Sequence, residues 1–244
     1  MLIFMENGIG TSSQAQKYVD KLVETAAAEN GWSGGEGKYV TQRKSAESYV
    51  SGKKPSYGFL SLGPYLAWRK SHSLEVLGVA DVDRAGGRRY HLVSKTASAL
   101  SGCKGQKVAS NHAEDAAFIN KVVAGGSFTL GDFQLVTTRR PVQTLKAVIK
   151  GEAACALIDD AQLRELPHID GSAGVKSVWK SEELPPMPVV AFSGTSSAER
   201  AKFKASLGSL CAGAGKQTCD KVGIRSISAA DESRFAKVIK AYGG

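Results

Sequence analysis

Four places along the chain offer hydroxyl, amide, imidazole or carboxylate side chains that could hold a small polar molecule by hydrogen bonds. Asp159 follows Cys155-Ala156-Leu157-Ile158, a short apolar run that reads as a buried strand ending in a carboxylate. It is suited to accept a hydrogen bond from a hydroxyl or amine, the alternative being a solvated loop acid. Ser61 ends the similar run Tyr57-Gly58-Phe59-Leu60 with a hydroxyl. Ser110-Asn111-His112 follows Lys107-Val108-Ala109, and its His112 is either a donor to a ligand or a structural histidine. Near the start, Asn7 lies in the loop after the opening strand, ahead of Thr11-Ser12-Ser13 at the first helix. Those hydroxyls suit an oxyanion or a ligand hydroxyl, or plain N-capping. Arg140, just before a helix, is open to an anionic ligand group or to solvent. These groups bind rather than react. No Gly-x-Ser-x-Gly elbow is present, Gly8 and Gly10 make only a truncated dinucleotide fingerprint, and no Cys/His spacing suggests zinc. The expectation is a non-enzymatic protein with no cofactor or metal.

Strand ends of this kind matter because open α/β sheets bind ligands beyond the carboxyl ends of their strands. The opening strand is Leu2 to Met5. The helix after it buries Ala15, Tyr18, Val19, Leu22, Val23 and Ala26, spaced as one helical face. Further strands are expected over 57–61, 74–80, 88–95, 107–110, 132–137, 155–159, 175–179 and 189–192. Asn111, with Glu114 three residues on, predicts a capping box that opens a helix running to Val123. Helices are also expected over 142–150, 198–210 and 230–242, the last closing a mostly helical tail. The order is βα units in one block, βα units in a second, then the tail. Residues 1–87 and 190–244 make the first lobe and 88–189 the second. Crossings near 85–96 and 183–192 predict an α/β, two-lobed clamshell with a two-strand hinge.

The chain is long enough for two domains, and no run of about 18 apolar residues could span a bilayer. With 32 Lys and Arg against 23 Asp and Glu, the formal charge is +9. The basic residues are scattered, with Arg88-Arg89 and Arg139-Arg140 the tightest groups, so a solvated basic surface is expected rather than a nucleic-acid interface. The opening five residues are too short and too uncharged for a signal peptide; they read as a chain trimmed of its leader behind an initiator Met1. Cys211 and Cys219 flank Ala212-Gly213-Ala214-Gly215, which could bend to bridge them. Cys103 and Cys155 are expected as buried thiols, with their pairing left open.

Tyr57-Gly58-Phe59-Leu60-Ser61 with Pro64-Tyr65-Leu66-Ala67, Leu100-Ser101-Gly102-Cys103-Lys104-Gly105-Gln106-Lys107-Val108-Ala109, Lys146 to Ala154, and Leu184-Pro185-Pro186-Met187-Pro188-Val189-Val190 follow one another in a familiar order. The chain resembles the type 2 periplasmic solute-binding proteins of ABC importers, within the phosphate, phosphite and phosphonate subfamily. The resemblance implies a monomeric extracytoplasmic receptor that takes up a small molecule in an interlobe cleft and passes it to a membrane permease. It also places Ser61 and Tyr65 at the cleft edge and makes Asp159 ligand-facing. One stretch departs. Relatives that hold phosphonates carry Ser-Thr-Ser-Gly where this chain has Ser110-Asn111-His112-Ala113, followed by Glu114 and Asp115. Two carboxylates at a helix start would repel a phosphoryl group by about 1–4 kcal/mol per close pair. The expected ligand is therefore no simple phosphonate but a bulkier apolar molecule such as a sterol, lined by Phe59, Tyr65 and Phe118. A phosphate- or phosphonate-type oxyanion receptor, or a ligand-sensing module of a signalling system, is the alternative.

Overall fold

The computed structural model describes residues 1–8, 12–83 and 87–244, and of Ser12 the backbone alone. Thr11, the Ser12 side chain and residues 84–86 of the first expected crossing lie outside the described residues. In chain order the strands are β1 (Leu2–Phe4), β2 (Lys38–Val40), β3 (Tyr57–Leu60), β4 (Glu75–Val82), β5 (Tyr90–Ser94), β6 (Lys107–Ser110), β7 (Gln134–Thr137), β8 (Cys155–Asp159), β9 (Lys176–Lys180), β10 (Met187–Ala191) and β11 (Ile224–Ala229). The α-helices are α1 (Ser12–Asn30), α2 (Arg43–Lys53), α3 (Leu62–Trp68), α4 (Pro141–Ile149), α5 (Asp160–Glu165), α6 (Ser197–Leu210), α7 (Gly215–Val222) and α8 (Ala236–Tyr242). The chain divides into two compact units, Met1–Gly86 with Pro185–Ala236, and Gly87–Leu184 with Lys237–Gly244.

The first unit is built on a sheet of order β11-β4-β10-β3-β1-β2. β1 runs parallel to β2 and β3, whereas β10 runs antiparallel to β3 and β4. The 3.6-residue stripe of α1 does what its spacing predicts. Val19, Leu22, Val23 and Ala26 are buried with Phe203, Leu207 and Leu210 of α6 over Ile3, Phe59 and Val189. Each such aliphatic side chain contributes about 1.5–3 kcal/mol when fully buried. Ser196 caps α6 in a capping box with Glu199. The tail is mostly helical, as expected, but it also carries a strand that was not expected. Ile224–Ala229 forms β11, antiparallel to β4. A register shift between Ile224 and Ser226 puts the two inward residues, Ile224 and Ile227, three apart, which hides the period-2 signal of a strand.

The second unit carries a sheet of order β7-β6-β8-β5-β9, with β6 parallel to both β7 and β8. Leu145, Ala147 and Val148 of α4 cover Val93, Ala109, Ala156 and Ile158 of that sheet. Residues 237–244 belong to this unit and not to the first, a correction to the expected division. Its basis is local. The Tyr242 hydroxyl donates to Asp115 Oδ2 at 3.0 Å, and Lys121 Nζ donates to the Tyr242 carbonyl at 3.3 Å. All four cysteines are bridged, Cys211 to Cys219 and Cys103 to Cys155. The second bridge replaces the expected buried thiols and ties the turn at Leu100–Gly102 to the first residue of β8.

Candidate functional site

In the second unit Ser110, Thr137 and Asp159 end three mutually parallel strands, so the carboxyl ends of β6, β7 and β8 meet at one edge. Ser110 is turned inward. Its hydroxyl donates to the Leu157 carbonyl at 3.0 Å and accepts from the His112 backbone N–H at 3.0 Å, which fixes the exit from β6. Asp159 is 1% exposed and caps α5, accepting from the Gln162 backbone N–H at 2.9 Å. Its other oxygen lies 4.0 Å from His112 Nε2. Gly87 closes over this carboxylate, since a Cβ there would come within 2.5 Å of the Asp159 Cβ. The Tyr90 ring meets the His112 ring edge-on at 5.1 Å.

Gln162 knits the cluster together. Its Nε2 donates to Asn111 Oδ1 at 3.0 Å and to the Pro141 carbonyl at 3.3 Å. Its Oε1 lies 2.6 Å from His112 Nε2 and accepts from the Asp159 N–H at 3.3 Å. A carbonyl oxygen can only accept, so His112 Nε2 is the donor in this contact. Thr144 donates to Asn111 Oδ1 at 2.8 Å, which leaves its own oxygen to accept from Thr138 at 2.5 Å. Asn111 Oδ1 therefore receives two hydrogen bonds. Its Nδ2 is buried and has no partner among the described residues, although Asn111 is only 6% exposed. Two amide N–H donors are thus held inside the protein with no partner among the described residues.

The segment after Asn111 corrects the expected capping box. Helical structure starts later, and the cap is Asp115, whose Oδ1 accepts from the Phe118 N–H at 2.9 Å. Asp115 Oδ2 is the acceptor for Tyr242, and Glu114 is exposed to water. Asp115 thus stands at the helix start with both oxygens engaged and Glu114 lies in water, so only one of the two expected carboxylates is at the helix start. Arg140 is the extended residue before α4, and its exposed guanidinium has no partner among the described residues.

The first unit treats its candidates differently. The Ser61 hydroxyl accepts from the Glu6 N–H at 2.9 Å and donates to the Phe4 carbonyl at 3.3 Å, bracing β1 against β3. Asn7 takes a left-handed backbone, φ 59°, and its N–H donates to the Thr41 carbonyl at 3.0 Å. Ser13 is exposed on the first turn of α1. Tyr65 is fully buried, not at an edge. Its ring packs 5.3 Å from Phe235 and its hydroxyl donates to Glu232 at 3.2 Å. Burial first, then the Glu232 carboxylate, hold its phenol far above the ordinary tyrosine range. Tyr65→Phe is expected to cost about 1 kcal/mol of stability in a denaturant melt while leaving ligand affinity unchanged by calorimetry. A tenfold loss of affinity (about 1.4 kcal/mol) would return Tyr65 to the binding residues.

Sequence reasoning missed Thr144, Gln162 and the paired Glu6 and Arg43, which meet at 2.7 and 3.1 Å at the ends of β1 and β2. Gln162 had a signal: Asp159-x-x-Gln162 is the spacing of a capping box. Thr144 had none, because the residue it supports stands 33 positions away. Phe59, Tyr65 and Phe118 are all buried within their units. Phe59 lies in the core under α1, and Phe118 packs 6.0 Å from Tyr90. Among the described residues, no group of three or more His, Cys, Asp or Glu could hold a metal ion, and no helix is long and apolar enough to cross a membrane.

Each unit is thus built on a mixed sheet in which parallel strands adjoin antiparallel ones and helices pack on the sheet. The family of periplasmic substrate-binding proteins of phosphonate ABC transporters matches residues 58–235, and the chain belongs to it. Membership implies a small-molecule ligand, a transporter permease as partner and an extracytoplasmic location; the family binds solutes and does not transform them. No curated protein sequence matches the chain. Among solved structures it is similar to a Xanthomonas citri protein bound to ATP, at TM-score 0.76 and 11% identity, covering 99% of this chain and 96% of that one. A binding-protein component of a phosphonate ABC transporter from Pseudomonas aeruginosa matches at TM-score 0.71 and 13% identity, over 97% and 83% of the two chains. A Prochlorococcus marinus protein in complex with methylphosphonate matches at TM-score 0.68 and 12% identity, over 99% and 96%. At such identities the likeness is one of fold.

Proposed function

We propose that the chain is the receptor of an ABC importer for a small oxyanion of the phosphonate or phosphate type, with an oxygen of the ligand seated on the Asn111 amide. The observation that carries this reading is the pair of buried N–H donors on Asn111 Nδ2, which have no partner among the described residues. An unmade hydrogen bond at a buried polar group costs about 1–3 kcal/mol, and an acceptor oxygen on the ligand removes that cost. A bond to an ionised oxygen is stronger than one between neutral groups, and here it requires no buried counter-charge. Asp159 uses one oxygen to cap α5, which leaves the other for a proton, hydroxyl or amine on the ligand. Ser110 and His112 act by shaping the cluster, and Arg140 supplies positive potential near it. The +9 net charge favours the approach of anions. A sterol has less support, because Phe59, Tyr65 and Phe118 are enclosed in the interiors of their units.

A thermal-shift and calorimetric panel of inorganic phosphate, methylphosphonate and cholesterol separates the two ligand classes. At a hundred times its Kd, the bound ligand stabilises the protein by about 2.7 kcal/mol. Stabilisation by an oxyanion is the expected outcome. Stabilisation by cholesterol alone, or by none of the three, would reject the reading.

A further inference from the structure

We infer that Gln162 is a specificity-determining positioning residue, a lock that fixes which end of the Asn111 amide meets the ligand. The inference rests on the oxyanion reading above and adds how the site tells an acceptor from a donor. An asparagine side chain can turn by half a revolution at almost no cost in shape, and so exchange a two-donor face for an acceptor face. Alone, Asn111 would serve a ligand amine as readily as a ligand oxygen. Here it cannot turn. Two donors, Thr144 Oγ1 at 2.8 Å and Gln162 Nε2 at 3.0 Å, converge on Oδ1.

The hydroxyl could yield to a turned amide, because an oxygen also accepts. Gln162 could not. Both of its Nε2 protons are committed, to Asn111 and to the Pro141 carbonyl. Its Oε1 is held in place by His112 Nε2–H at 2.6 Å and by the Asp159 N–H at 3.3 Å. All four hydrogen-bonding positions of this amide are filled, at 0% exposure, so turning Gln162 would set donor against donor at His112 and at Asp159. Orientation thus passes from the Asp159 backbone and the His112 ring, through Gln162, to Asn111. The face that meets no described residue is always the one with two N–H donors.

The test compares Gln162→Met, Gln162→Glu and Thr144→Val with the wild-type chain, titrated calorimetrically with methylphosphonate. Met removes the lock without adding charge and is expected to weaken binding about tenfold. Glu, nearer to Gln in shape, is acceptor-only. It draws Asn111 Nδ2 inward and turns Oδ1 towards the ligand, with an expected loss of at least a hundredfold. A crystal structure of the Glu variant then shows Asn111 turned. Thr144→Val keeps the Gln162 lock and is expected to lose no more than about threefold, so the ranking survives if one variant folds poorly. A residue with only a structural role would give the opposite order, with Met worse than Glu and losses tracking melting temperature. That order, equal binding by all variants, or an unturned Asn111 in the Glu variant would overturn the lock. Failure of the wild-type chain to bind methylphosphonate or phosphate would instead remove the oxyanion reading beneath it.

Discussion

Asn111→Asp is expected to weaken methylphosphonate binding by about 10²–10⁴-fold at pH 8 with little change in fold. The carboxylate keeps an oxygen where Thr144 and Gln162 donate, so the cluster that holds position 111 remains satisfied. Those same two donors favour the ionised carboxyl. What changes is the face turned to the ligand, where two N–H donors become an oxygen that can only accept. Loss of two hydrogen bonds to an ionised group accounts for about 3–6 kcal/mol, before any repulsion between the carboxylate and the ligand. Calorimetry of the variant, with circular dichroism as the check on folding, measures the effect. An affinity within threefold of wild type would mean that the amide does not touch the ligand.

The second large effect concerns stability. Replacing both Cys103 and Cys155 by alanine is expected to destabilise the second unit by about 4 kcal/mol, and replacing Cys211 and Cys219 to destabilise the first by about 2.5 kcal/mol. The difference follows from the closed loops, with sequence separations of 52 and 8 residues, because a longer loop loses more conformational freedom when it is closed in the unfolded chain. Cys155 opens β8, the strand that ends at Asp159, so the larger loss falls on the unit that carries the Asn111–Gln162 cluster. Equilibrium unfolding in denaturant, with and without reductant, reads both values. Two midpoints that ignore reductant would contradict the assignment of the bridges. An oxidising extracytoplasmic compartment, which membership of the family implies, is where such bridges persist.

The fold was legible wherever a local period survived. The stripe of α1 and the apolar runs of β3, β6 and β8 each announce their element, because burial on one helical face or between two layers leaves a pattern within a few residues. β11 was not legible, because its bulge moves the inward positions to Ile224 and Ile227. The Cys103–Cys155 bridge was hidden for another reason: no local feature relates residues 52 apart. Asn111 shows how a local pattern can mislead about a residue's hydrogen-bond partners. Asn-x-x-Glu has the form of a helix cap, yet the partners that claim its oxygen arrive from 33 and 51 residues downstream, and the cap passes to Asp115. Tyr65 is the reverse case. Its place in the sequence suggested a ligand contact, whereas Phe235 and Glu232, far along the chain, draw it into the interior.

A crystal structure of the protein grown with methylphosphonate tests the oxyanion assignment most directly. The expected result is a phosphonate oxygen within about 2.7–3.2 Å of Asn111 Nδ2, with Asn111 Oδ1 still held by Thr144 and Gln162. A ligand bound elsewhere, with the Asn111 amide engaged by water or by protein alone, would contradict it.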